Sequence, residues 1–171
     1  ELRRIRAAFL ADPDAPDRGD AATVERTLAA RDRELFDARH GRYVLWFEAD
    51  LYCQLQIVEV LALLAEHRVP AERITLICIG EHPGIARFGG LGELTADQLR
   101  DLVTTKAAAP LTPAALALAT TAWTAFRGLR PDGVAELAAV RSPELRFLGE
   151  AFERLAREYP STRDGLGLTE R

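Results

Sequence analysis

The sequence predicts a three-layer, Rossmann-like α/β domain with a mostly parallel sheet and a helical C-terminal half, and three observations lead there. Residues 43–47 (Tyr-Val-Leu-Trp-Phe) and 73–80 are short runs of β-branched, aromatic and aliphatic residues, the composition of buried strands. Residues 50–68 between them are apolar around most of a helical circumference, as expected of a helix packed on a sheet. Beyond residue 94 helix caps recur and strand signals fade. Strand, helix and strand in so short a span form a crossover unit, which pairs its strands in parallel with a right-handed connection, so both strands should lie mid-sheet and covered on both faces.

Taken in order, Leu2, Ile5, Phe9 and Leu10 recur at helical spacing until the prolines and acidic turn formers of residues 12–17 break the pattern. Residues 20–39 are good helix formers with Val24, Leu28 and Leu35 on one side, an amphipathic surface helix. After the crossover unit come Glu81-His82-Pro83-Gly84 and Gly89-Gly90-Leu91-Gly92, which read as a flexible loop. Thr95 with Gln98 makes a capping box, and Thr112-Pro113 and Ser142-Pro143 each pair a cap with proline at the first helical position, so helices should start at all three. A shorter helix is expected over residues 132–140. Residues 160–171 read as a linker running into the start of another helix. Two strands make a poor sheet, so either a further strand precedes Glu1 or a weaker one hides near residues 107–111. The expected division is an α/β core over 1–94, a helical region over 95–160 and a linker over 161–171.

Composition narrows the functional classes. The 171 residues contain no methionine and start inside a helical pattern, so the chain is expected to be a piece of a longer protein. Net charge is −4 and the arginines are interspersed with acids, without the basic stripe of a nucleic-acid surface. No apolar run is long enough to span a bilayer. Cys53 and Cys78 sit in apolar surroundings with no CxxC spacing, the pattern of buried free thiols in a reducing compartment, and a cytoplasmic protein is expected. His40, His67 and His82 are far apart, and neither cysteine lies at ligand spacing to them, which argues against zinc. No P-loop is present, and Gly89-Gly90-Leu91-Gly92 lacks dinucleotide-binding spacing.

Candidate chemistry lies at the strand ends, because ligands of open α/β folds bind outside the carboxyl ends of the strands. Glu48 and Asp50 end the first strand. Alternation places them on one side, where two carboxylates would hold Mg²⁺ or one would act as a base. Asp50 is equally well placed as a helix N-cap, with Glu48 gaining only from the helix dipole. His82, beside Glu81, follows the second strand in the equivalent position and is expected on the same rim as an acid, base or ligand. Arg87 and Arg163 are candidate anion clamps, with Gly89 and Gly90 as loop positions of a ligand site.

Residues 45–55, 87–94 (Arg-Phe-Gly-Gly-Leu-Gly-Glu-Leu) and 160–166 (Pro-Ser-Thr-Arg-Asp-Gly-Leu) together resemble a bacterial family designated domain of unknown function 1835. The resemblance covers essentially the whole chain. It implies a preceding strand with a Gly-Asp-Ser-like turn and a following winged-helix-like segment. It also implies histidine, in many relatives, where this chain has Ala49. Two classes of function are expected: a domain that binds or hydrolyses a small molecule such as a phosphate or nucleotide, or a ligand-sensing or scaffold domain coupled to a C-terminal DNA-binding segment.

Overall fold

The computed structural model describes residues 1–11, 20–37 and 41–171. They form two compact units, Glu1–Gly41 and Arg42–Arg171. The prolines of the expected break at 12–17, and His40, lie outside the described residues.

In the first unit α1 (Leu2–Leu10) packs on α2 (Ala21–Asp37). Asp20 caps α2 by accepting from the Thr23 backbone N–H at 2.7 Å, and Arg3 bridges to Asp32 at 3.1 Å. Ala7 is the buried contact of α1, while Phe9 is 81% exposed. The helical spacing of the apolar residues in α1 is therefore real, but Ile5 and Phe9 form an open face.

The second unit begins with β1 (Tyr43–Glu48), α3 (Leu51–Glu66) and β2 (Ile74–Ile79). β1 and β2 pair in parallel with Tyr43 opposite Ile74 and Glu48 opposite Ile79, as the crossover predicts. A capping box on Thr95 opens α4 (Ala96–Leu102), followed by β3 (Ala108–Pro110), the weak strand expected near 107–111. Then come α5 (Pro113–Phe126), capped by Thr112, α6 (Asp132–Ala138) and α7 (Leu148–Ala156).

The three-layer, mostly parallel Rossmann-like fold is overturned. The chain is helix-rich, with seven α-helices among the described residues and one small mixed sheet of order β1-β2-β3. β3 runs antiparallel to β2, Leu76 facing Ala109, because the chain returns from α4 through a short turn instead of a second crossover. Pro110 has no N–H with which to extend that ladder. Coverage is also unequal. Ile74 and Leu76 point to the face where α3 and α5 pack, burying Ile57, Val58, Leu61 and Ala119. On the other face Ile77 and Ile79 meet Leu94 and Leu102 of the loop and the short α4. That cover spans β2 but not β1, whose Val44 is 52% exposed. Only β2 is buried on both sides.

The helix expected from Ser142 begins at Leu148 instead. Ser142 does accept from the Leu145 N–H at 3.1 Å, so its turn forms. The turn is then drawn off the helix axis by tertiary bonds: the Thr112 hydroxyl donates to Glu144 at 2.7 Å and Arg146 donates to the Cys78 carbonyl at 2.7 Å. Residues 161–171 form turns, not a helix. The Leu168 N–H donates to the Arg157 carbonyl at 2.8 Å, and Ser161 donates to Asp164 at 2.6 Å. Among the described residues no helix is long and apolar enough to cross a membrane.

Candidate functional site

The carboxyl ends of β1 and β2 stay side by side one residue past the strands, where the Ala49 N–H donates to the Ile79 carbonyl at 3.0 Å. Alternation then sorts the side chains. Ala49 faces a cleft, and Glu48 and Asp50 point elsewhere.

Asp50 caps α3, its Oδ1 accepting from the backbone N–H groups of Tyr52 at 2.9 Å and Cys53 at 3.1 Å. Burial raises its carboxyl pKa, but the hydrogen bonds from the Cys53 thiol and from these N–H groups outweigh burial and leave it below the ordinary value. The Cys53 thiol responds in the opposite sense, pushed up to about 11 by burial and by its bond to Asp50. Glu48 Oε1 accepts from the Leu91 N–H at 2.7 Å and so fastens the glycine loop to the end of β1. Gly90 makes that approach possible: its φ is +148°, and a Cβ there would lie 2.6 Å from Glu48 Oε1. Donor atoms of Glu48, Asp50 and Cys53 thus lie within 4.8 Å of one another. One oxygen of each carboxylate already holds backbone, and the thiol is protonated at neutral pH, so the cluster works as the lock of a strand-to-helix turn.

Gln54 completes the lock. It is 2% exposed, and its amide donates to the Glu48 carbonyl at 2.8 Å and to Cys78 Sγ at 3.4 Å, so every polar atom buried there has a partner. The sequence carries no distinct signal for it, since Gln56 lies two residues on in the same helix.

The cleft itself is about 840 Å³ and has three walls. Gly80, Glu81, His82 and Pro83 follow β2; Gln98, Asp101 and Leu102 of α4 lead through Thr105 to Lys106; Arg146 and Phe147 precede α7 and Glu150 lies in its first turn. The Gly80 wall is tight, since a Cβ there would lie 2.8 Å from Ala49 Cβ and 3.3 Å from the Phe147 ring. His82 is held by its own loop, Nδ1 accepting from the Gly84 N–H at 3.2 Å, with its ring 6.5 Å from that of Phe88. Arg146 is fixed at both ends of its guanidinium environment, by its bond to the Cys78 carbonyl and by stacking 5.2 Å from the Phe147 ring centroid.

Of the candidates named from sequence, His82 lines the cleft, while Glu48 and Asp50 meet each other outside it. Arg87 is exposed on the glycine loop, where the Gly89 N–H donates to Glu93 at 3.1 Å, and Arg163 is exposed on the C-terminal turn. Neither lines the cleft. Sequence reasoning missed Arg146, Lys106 and Gln98, which the fold brings there from distant segments. The three segments that carry the family resemblance form the β1–α3 turn, the glycine loop with its 3₁₀ turn at Leu91–Glu93, and the C-terminal turn. No family model, no curated protein and no solved structure matches this chain.

Proposed function

We propose that this chain binds a small phosphate-bearing molecule in the cleft at the carboxyl ends of β1 and β2. The observation that carries the reading is the convergence of Lys106, Arg146 and His82 on one cleft whose volume falls in the range of small-molecule sites, roughly 300–1,000 Å³. Its floor of Ile79, Leu102, Ala107 and Phe147 is apolar, and its polar residues, the carboxylates Glu81, Asp101 and Glu150 among them, come from three separate walls. Glu48 and Asp50, the carboxylates expected from the sequence to act as bases, hold backbone N–H groups outside the cleft, which favours binding over a hydrolysis that would use them. The sensing alternative shares this cleft and is favoured by the same commitment of Asp50 to its helix.

The test is a melting curve in millimolar inorganic phosphate and in an adenine mononucleotide. A ligand of the folded state alone at about 100 times its Kd adds roughly 2.7 kcal/mol. For 171 residues that is a rise in Tm of about 7 °C, from the average unfolding entropy per residue. Lys106→Ala should reduce the rise. No shift with either ligand in the wild type would end the proposal.

A further inference from the structure

We infer, resting on that reading, that Arg146 is the phosphate anchor of the cleft and that the ligand is a nucleoside monophosphate. A guanidinium binds phosphate through two parallel N–H groups when its plane is already oriented. Arg146 meets this condition. One nitrogen donates to the Cys78 carbonyl at 2.7 Å, and the ring of Phe147 lies 5.2 Å from the guanidinium carbon, so the plane is set from two directions while the remaining N–H groups are left over. Lys106, from the segment between α4 and β3, has a single flexible ammonium and adds charge without fixing orientation.

The rest of the cleft limits what can carry the phosphate. Arg146 and Lys106 share it with Glu81, Asp101 and Glu150, a lining with more carboxylates than cations that repels a triphosphate more strongly than a monophosphate. The same carboxylates are acceptors for the hydroxyls of a ribose and the amino group of a base, and the apolar floor of Ile79, Leu102 and Ala107 suits a planar ring.

The experiment is calorimetric titration of the full chain with adenosine monophosphate, adenosine triphosphate, adenosine and inorganic phosphate, on the wild type, Arg146→Lys and Arg146→Gln. The wild type is expected to prefer the monophosphate over both adenosine and the triphosphate. Arg146→Gln should weaken the monophosphate by about 10- to 100-fold, the worth of a charge-assisted pair, and leave adenosine nearly unchanged; Arg146→Lys should recover only part of the loss. A merely structural Arg146 would weaken the monophosphate and adenosine alike, and that result overturns the anchor. A triphosphate or bare phosphate binding as tightly as the monophosphate overturns the ligand class while leaving the phosphate-binding reading in place. Absence of binding by any phosphate-bearing probe overturns both.

Discussion

Replacing Asp50 by alanine removes the acceptor that holds two backbone N–H groups at the start of α3, the Tyr52 bond of 2.9 Å and the Cys53 bond of 3.1 Å. Loss of an N-cap aspartate costs about 1 kcal/mol, within a range of roughly 0.5–2. With an unfolding entropy near 2.1 cal/mol/K per residue, 171 residues convert this to a Tm drop of about 3 °C. Asp50→Asn keeps an acceptor oxygen and should melt close to the wild type at neutral pH. Acid separates the two. The hydrogen bonds hold the Asp50 carboxyl below its ordinary value despite burial, so the ionised cap contributes stability that is fully present above the unfolded pKa of about 3.9 and is lost as pH falls through the lower folded value. Asparagine does not titrate. The wild type should therefore lose ground to Asp50→Asn as pH drops below about 4. Melting curves by circular dichroism at neutral pH and through that acid range decide it. If Asp50→Ala melts like the wild type, or the gap to Asp50→Asn ignores pH, the carboxylate is not capping α3.

Three further outcomes follow from the same corner of the fold. Gln54→Leu removes the amide that donates to the Glu48 carbonyl and to Cys78 Sγ, leaves the carbonyl with the weak Cys78 thiol donor at 3.5 Å, and should cost about 1–3 kcal/mol in chemical denaturation; a neutral result would mean the amide is dispensable. The Cys53 thiol, at about 11 against an ordinary 9.0, holds on the order of 100-fold less thiolate at pH 8 than a free cysteine, so its alkylation, followed by mass spectrometry, should be correspondingly slow. Alkylation at the rate of an unhindered cysteine peptide would contradict this. Millimolar Mg²⁺ should leave Tm unchanged, because Glu48 and Asp50 each hold backbone through one oxygen; a rise that disappears in Glu48→Gln would establish a metal site instead.

The covered strand, its crossover helix and the caps on Asp50, Thr95 and Thr112 were legible in the sequence by itself, because each rests on chemistry a few residues wide. A cap oxygen reaches an N–H two or three positions on, and an apolar run long enough to bury one strand shows as composition. The parallel pairing of β1 and β2 was legible too, since a helical crossover permits little else. What lay beyond the sequence depends on partners far along the chain. The Ser142 turn has a cap and a proline, yet Glu144 and Arg146 answer to Thr112 and to the Cys78 carbonyl, 68 residues away, and the helix starts late. Sheet coverage is decided the same way: the apolar pattern of residues 43–48 is that of a strand whichever face is covered, and only the shortness of α4 leaves Val44 in solvent. The candidate site divides along this line. Position at a strand end singled out Glu48, Asp50 and His82, but the side to which each carboxylate turns depends on where Leu91 and the first turn of α3 place their N–H groups, and Arg146 reaches the cleft only because the tertiary fold returns residues 146–150 to the end of β2.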